Sequence, residues 1–155
     1  MDYSNFKHKF PIQVRFVDID KLGHVNNAVY LSYFETARVA YFDEVVGERV
    51  DWNKTGMILA KSIVDYKTPV FQHDKLVIYS SVSKLGNKSF EISDVLVKES
   101  FDPSINSELR GKEEIAAFAT FTIVCFNYET QSTIEIPQEW RERIEAFEKS
   151  GQPLK

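Results

Sequence analysis

The first regular stretch of the chain runs from Phe10 to Asp18. Phe10, Ile12, Val14 and Phe16 fall on one side, and Gln13 and Arg15 on the other. Such period-two alternation predicts a half-buried strand. Pro11 near its start places that strand at a sheet edge, or marks a strand end. At Asn26 or Asn27, either of which can cap a helix, the period changes. Tyr30, Phe34, Ala37 and Tyr41 then share one helical face, Tyr33 and Ala40 widen it, and Ser32, Glu35, Thr36 and Asp43 lie opposite. The pattern predicts one helix to about Val46, largely enclosed by sheet, with Gly47 as its terminator. From Ile58 to Tyr66 strand alternation returns, with Ile58, Ala60, Val64 and Tyr66 in phase, until Pro69 interrupts it. Two further β-rich runs, Lys75 to Leu85 and Lys88 to Val97, flank Gly86-Asn87 and predict a hairpin. The polar stretch 100–114, with Pro103 and Gly111, reads as an exposed loop. Ile115 to Phe126 is apolar on both faces and predicts a central strand. Pro137 opens a short amphipathic helix, Gln138 to Lys149, carrying Trp140, Ile144 and Phe147. This order is α+β: one long central helix on a mostly antiparallel sheet of five strands, plus a short C-terminal helix.

Composition narrows the class. A chain of 155 residues with 43% hydrophobic residues favours a single domain around one core, spanning 1–155. The 12 Phe, 7 Tyr and 2 Trp suit a broad sheet packed on a buried element. A net charge of -4 and the lack of a Lys/Arg run argue against a nucleic-acid partner. No apolar stretch approaches the roughly 18 residues of a membrane span, so no membrane insertion is expected. The first ten residues lack the apolar core of an export signal, and the single cysteine, Cys125, fits a reducing cytoplasm. Cys125 sits in the most apolar strand, where a thiol is structural rather than nucleophilic. His8, His24 and His73 are scattered, without metal-site spacing. There is neither a G-x-S-x-G elbow nor a phosphate-binding glycine loop. The expected chemistry therefore uses no metal and no redox cofactor.

What remains is carboxylate chemistry beside a helix start. The stretch "DIDKLGHVNNAVYLSYFETAR", residues 18–38, places two aspartates, a glycine, a histidine and two asparagines just before the long helix. A helix N-terminus presents unpaired N–H groups and a partial positive charge, which can hold a developing oxyanion. A carboxylate a few residues upstream can then lie across a bound carbonyl. The same residues also read as a plain turn with a helix cap. Spacing alone leaves both readings open.

With its preceding strand, the motif "VRFVDIDKLGHVNNAVYLSYFETAR" resembles the signature of the 4-hydroxybenzoyl-CoA thioesterase-like branch of the hotdog-fold acyl-CoA thioesterases. The matching residues are Asp18, Asp20, Gly23, Val25, Asn27, Tyr30, Glu35, Ala37 and Arg38. Softer resemblances are "YKTPVFQHDKL" at 66–76 and "KLGNKSFEI" at 84–92, so that the likeness spans about residues 10–130, ahead of the C-terminal helix at about 137–149. The resemblance implies the hotdog fold, in which an antiparallel sheet wraps one long helix. It implies hydrolysis of an acyl-CoA to free coenzyme A and a carboxylic acid, coenzyme A being part of the substrate. Asp20 takes the position of the catalytic acid, as nucleophile or general base. The backbone N–H of Asn27 takes that of the group polarising the thioester oxygen.

His24 is a further candidate in an acid–base pair with Asp20, or shapes the turn. Glu35 is a second carboxylate candidate, although pairing with Arg38 three residues on is the simpler outcome. Asp18 is expected to support the loop. Lys84, Lys88 and Ser89 at the hairpin match a region that meets coenzyme A in the family, but Gly86 and Asn87 stand where some relatives carry arginines. Tyr30 completes the substrate-binding set. The resemblance also implies a homodimer or homotetramer with active sites at the subunit boundary, and Leu31, Val39 and Phe42 offer a helix face for such a contact. Alternative functions are hydrolysis of acyl-carrier-protein thioesters, enoyl-thioester hydration and non-catalytic acyl-thioester binding.

Overall fold

The computed structural model describes residues 2–47, 51–52, 54–99 and 113–153. Of the predicted loop at 100–114, residues 100–112 lie outside them, and Glu113 and Glu114 instead begin a strand because they pair with Glu99 and Lys98 across the sheet. Strand β1 (His8–Gln13) and a 3-10 turn (Phe16–Asp18) lead to α1 (Asn27–Val45). Strands β2 (Thr55–Tyr66), β3 (Lys75–Leu85), β4 (Ser89–Glu99) and β5 (Glu113–Asn127) follow, then a two-residue β6 (Ser132–Thr133) and α2 (Gln138–Ser150). The sheet is antiparallel in the order β1-β3-β4-β5-β2, with β6 paired to β5. Among the described residues the architecture is the predicted one: a long helix on an antiparallel sheet, with a short C-terminal helix.

Two strands depart from the alternation read in the sequence. β1 ends at Gln13 because the Asp18 carboxylate accepts the Arg15 backbone N–H at 2.8 Å and its guanidinium at 2.7 Å. That pair bends the chain into the 3-10 turn. Phe16 therefore points into solvent, 81% exposed, instead of sharing the buried side of Ile12 and Val14. In β2 the register shifts between Leu59 and Lys61, with Ala60 as the extra residue. Ile58 pairs with Val124, whereas Val64 and Tyr66 pair with Ala119 and Ala117, so Ile58 lies on the opposite face from them. Period-two counting across a bulge goes out of phase.

α1 buries Tyr30, Tyr33, Phe34, Ala37, Tyr41 and Val45, the face expected from its periodicity. Asn26 is its cap and Gly47 its left-handed terminator, at φ 88°. Phe42, expected on the exposed face, is instead buried edge-on against Phe90 at 5.5 Å, while Leu31 and Val39 are exposed. The expected pairing of Glu35 with Arg38 is not the one formed. Arg38 turns inward, its guanidinium 4.1 Å from the centre of the Phe121 ring, and Glu35 stays at the surface. Trp140, Ile144 and Phe147 bury the face of α2. Glu148 ties α2 to the rest: its carboxylate accepts the Tyr41 hydroxyl at 2.6 Å, the Ser81 hydroxyl at 2.7 Å and the Val82 N–H at 2.8 Å.

Beneath α1 a polar rung crosses the core. His8 pairs with Ser80 and Ser80 with Asp94, and all three are buried on the face that Arg38 overhangs. Burial pushes the His8 imidazole down to about 4, despite Glu44 at 3.6 Å. Burial pushes the Asp94 carboxyl up to about 7, against the lowering effects of Ser80 and Arg38. The two groups bend the pH profile of stability in opposite senses. Between about pH 4 and 6.5 the unfolded chain holds a His8 proton that the fold has lost, so this contribution rises with pH. From about pH 4 to 7 the fold holds an Asp94 proton that the unfolded chain has lost, so that contribution falls with pH. Each is worth up to roughly 3–4 kcal/mol. Asp94→Asn is expected to make the melting temperature climb more steeply from pH 4 to 6.5 than in the wild type. His8→Gln is expected to make it decline from pH 4 to 7. Calorimetric melts across that range check both, and profiles parallel to the wild type would contradict them.

Candidate functional site

The chain between β1 and α1 folds back on itself. Ile19 bridges Val25, the Asp20 N–H donates to the His24 carbonyl at 2.9 Å, and the Asn26 N–H donates to the Asp18 carbonyl at 2.9 Å. Gly23, at φ 85°, closes the tip with a conformation that side-chain-bearing residues rarely adopt. The base of this loop is buried. Burial alone would raise the Asp18 carboxyl, but the Arg15 guanidinium, the Tyr33 hydroxyl at 2.7 Å and the Arg15 N–H together hold it below the usual range. Asp18 thus supports the loop, as expected. Its partners Arg15 and Tyr33 carried no motif that singled them out in the sequence.

Asp20 sits above that anchor. One carboxylate oxygen accepts the Leu22 N–H at 2.8 Å, which fixes the side chain. The other lies 3.8 Å from His24 Nδ1, beyond hydrogen-bond range. The side chain is 23% exposed, so the acid is held at the surface of the fold rather than sealed within it. His24 also approaches the Val25 carbonyl, at 3.4 Å. The geometry sets His24 beside Asp20 without coupling the two by a hydrogen bond.

The helix start faces the same loop. The Asn26 side chain accepts the Ala28 N–H at 2.9 Å, and its carbonyl accepts the Val29 N–H at 2.9 Å. Among the described residues no group accepts the Asn27 N–H. In the ladder set by the pairs Asp20–His24, Ile19–Val25 and Asp18–Asn26, residue 27 lies three positions from residue 20. At about 3.3 Å per position, that separates the two by roughly 10 Å along the chain.

Tyr66 is the site residue that motif reading passed over. Its hydroxyl donates to the Asn27 carbonyl at 3.0 Å, and its ring meets Tyr30 edge-on at 5.1 Å. It fixes the helix start against β2. It heads the segment at 66–76 whose likeness to the family was visible, so a signal was present. Tyr30 itself is buried beneath Tyr66 and reaches the site through that ring. Glu35 lies two turns further along α1, roughly 12 Å from Asn27 at 1.5 Å per residue.

Lys84, Lys88 and Ser89 are not brought to this site within one chain. The helix start lies by Tyr66, which pairs with Ala117, whereas Ser89 pairs with Val124. Seven residues of β5 separate those levels, roughly 23 Å. The hairpin turn is also braced from below. Arg141 donates to the Gly86 carbonyl at 2.6 Å, and the Asn87 carbonyl accepts the Ile136 N–H at 2.8 Å. The two lysines remain exposed. Cys125 is buried and its thiol is pushed up to about 11, so it offers no thiolate.

The family model of the thioesterase-like superfamily matches residues 14–144. A long-chain acyl-CoA thioesterase, FadM, of Escherichia coli (strain K12) is 28% identical over 141 residues, covering 89% of this chain and 97% of that protein. Among solved structures, a thioesterase from Thermus thermophilus complexed with coenzyme A and Zn superposes with a TM-score of 0.75. It is 32% identical, with 97% of this chain and 99% of that one covered. A 1,4-dihydroxy-2-naphthoyl-CoA thioesterase from Synechocystis, 16% identical, shares the fold with a TM-score of 0.72 over 88% of this chain and 94% of that one.

Proposed function

The chain belongs to the thioesterase-like superfamily and is a hotdog-fold thioester hydrolase, and we propose that its substrate is an acyl-CoA cleaved between Asp20 and the start of α1. One observation carries the reading. The Asn26 cap satisfies the Ala28 and Val29 amides and, among the described residues, leaves the Asn27 N–H without an acceptor, while one oxygen of the Asp20 carboxylate makes no hydrogen bond and lies 3.8 Å from His24 Nδ1. The thioester oxygen accepts the Asn27 N–H, which stabilises the negative charge that grows on it during attack. Asp20 either draws a proton from the attacking water or itself attacks the carbonyl carbon. The C–S bond breaks, the thiolate of coenzyme A takes up a proton, and the oxygen delivered by water ends in the carboxylic acid. The reaction so drawn calls on water and the coenzyme A thioester alone.

A homodimer, alone or paired into a tetramer, belongs to this reading. Among the described residues β2 pairs with β5 on one side only, and its helix-facing residues Leu59, Ser62 and Tyr66 are exposed. A second copy running antiparallel about a two-fold axis satisfies both the free edge and the uncovered face. Such a pair turns the far end of one subunit toward the helix start of the other. The partner subunit's Lys84, Lys88 and Ser89 would then approach the coenzyme A end of this site, as phosphate-binding cations. Among the described residues no helix is long and apolar enough to cross a membrane. The single, unpaired thiol supports a cytoplasmic setting.

The reading is tested by incubating the purified protein with acyl-CoAs of varied length and aromatic character while monitoring thiol release. Release from at least one member is expected. Tight binding without release from any would instead identify an acyl-thioester-binding protein, and release from acyl-carrier-protein thioesters alone would move the substrate class.

A further inference from the structure

Arg38 and Asp94 are buried in one layer without joining. Arg38 enters from α1 and lays its guanidinium 4.1 Å from the centre of the Phe121 ring on β5. Asp94 stands on β4 diagonally across from that ring, since Ile92 pairs with Phe121 and Asp94 with Ala119. Residues on such a diagonal lie roughly 7–8 Å apart, so a long side chain above them can reach either. Yet Arg38 Nη1 has no acceptor within the protein, and neither Asp94 oxygen has a donor. Buried polar atoms are ordinarily paired, and orphans on two neighbouring side chains of opposite type call for a physical reason.

The surroundings supply one. Across the ladders Asp94 meets Ser80 on β3 and Ala119 on β5, and Ile92 and Leu96 flank it on its own strand, all of them buried. Among the described residues, Arg38 is the charged group that acts on it. His8 lies on the far side of Ser80, with Glu44 at 3.6 Å and the Tyr41 ring edge-on at 5.4 Å. Glu35 acts on Arg38 from the helix surface, and Glu148 of α2 is taken up by Tyr41, Ser81 and Val82. Asp94 thus has one cation to pair with, and that cation rests on a ring. The arrangement suits a neutral Asp94. A protonated carboxyl offers the guanidinium no charge to compete with the aromatic face. An ionised carboxylate left unpaired among these apolar neighbours would cost far more than the ring contact contributes. Burial favours the neutral form, pushing the carboxyl up to about 7.

We propose that Arg38 is a proton-linked latch between α1 and the sheet: its guanidinium rests on the Phe121 ring while Asp94 holds a proton, and crosses to the Asp94 carboxylate when that proton leaves for solvent. The crossing makes no covalent bond and releases one proton. It fastens the middle of α1 to β4 when Asp94 is ionised and frees it when Asp94 is neutral. The latch is independent of the thioesterase reading.

Nuclear magnetic resonance of the full chain tests it, from about pH 5 to about pH 9, either side of the Asp94 value of about 7. In the wild type, the Arg38 δ-methylene protons are expected to start shifted upfield by the ring beneath them. They are expected to lose that shift with the same midpoint as the Asp94 carboxyl carbon. In Asp94→Asn the upfield shift is expected to persist across the whole range. In Arg38→Met the Asp94 midpoint is expected to rise by at least about one pH unit, because the cation that favours its charged form is gone. Arg38 protons that stay put while Asp94 titrates, or that move equally in Asp94→Asn, would overturn the latch. So would an Asp94 midpoint unmoved in Arg38→Met. If either variant fails to fold, the wild-type titration decides alone. No acyl-CoA enters the measurement, so its outcome stands apart from that of the hydrolysis assay.

Discussion

Asp20→Asn is expected to keep the wild-type melting temperature and to lose roughly 10²–10⁴ of kcat, the range of a removed acid–base group. The structure makes this substitution unusually clean. Asparagine has the same shape, and its side-chain carbonyl can still accept the Leu22 N–H that fixes Asp20 at 2.8 Å. The pairs that build the loop, Ile19 with Val25 and Asp20 with His24, are formed by the backbone. The buried Asp18, held by Tyr33 and by the more exposed Arg15, lies below and is untouched. The substitution removes the negative charge and the proton-accepting oxygen, and little else. Kinetics with an acyl-CoA, alongside a thermal melt, check the result. Turnover near the wild-type value would remove Asp20 from the chemistry and return it to the role of a turn residue.

Asn27→Pro is expected to cost roughly 10²–10³ in kcat, the measure of one lost oxyanion donor, while Asn27→Ala stays close to wild type. Proline within a helix ordinarily breaks it, but position 27 is the exception. It is the first residue of α1, where proline's missing N–H removes no helical hydrogen bond and its fixed φ suits the helix. The residue before a proline must be extended, and Asn26 already is, at φ -60° and ψ 135°. Asn26 would go on capping Ala28. The pair of variants therefore separates the amide from the side chain, with melting temperatures as the control for folding. Equal, mild effects of both would exclude the oxyanion role.

Much of this was legible in the residues. The buried face of α1 followed from Tyr30, Phe34, Ala37 and Tyr41, because a helix packed on a sheet imposes its period on the sequence. The β3–β4 hairpin followed from Gly86-Asn87 between two β-rich runs. Periodicity failed where one local bond overrode it. Asp18 pulled Arg15 into a turn and expelled Phe16, and the bulge at Ala60 set Ile58 and Val64 on opposite faces. At the site, the motif carried Asp20, Asn27 and the supporting Asp18. It was silent on Tyr66, whose bond to the Asn27 carbonyl joins residues 39 apart in sequence. Arg38 illustrates the same limit. Its spacing from Glu35 suited a surface pair, yet the Phe121 ring drew it inward. A cavity of about 300 Å³ lined by Val39, Phe42, Trp52, Met57 and Tyr128 gathers residues from α1, from β2 and the stretch just before it, and from the residue that follows β5, a grouping that spacing along the chain does not contain.

The most direct test is a crystal structure of the dimer with a non-hydrolysable acyl-CoA analogue in which a methylene replaces the thioester sulfur. The carbonyl oxygen is expected about 3 Å from the Asn27 nitrogen, with the unshared Asp20 oxygen on the other side of the carbonyl carbon. An analogue bound elsewhere, or one whose carbonyl turns away from both residues while the rest of the ligand is ordered, would contradict the account.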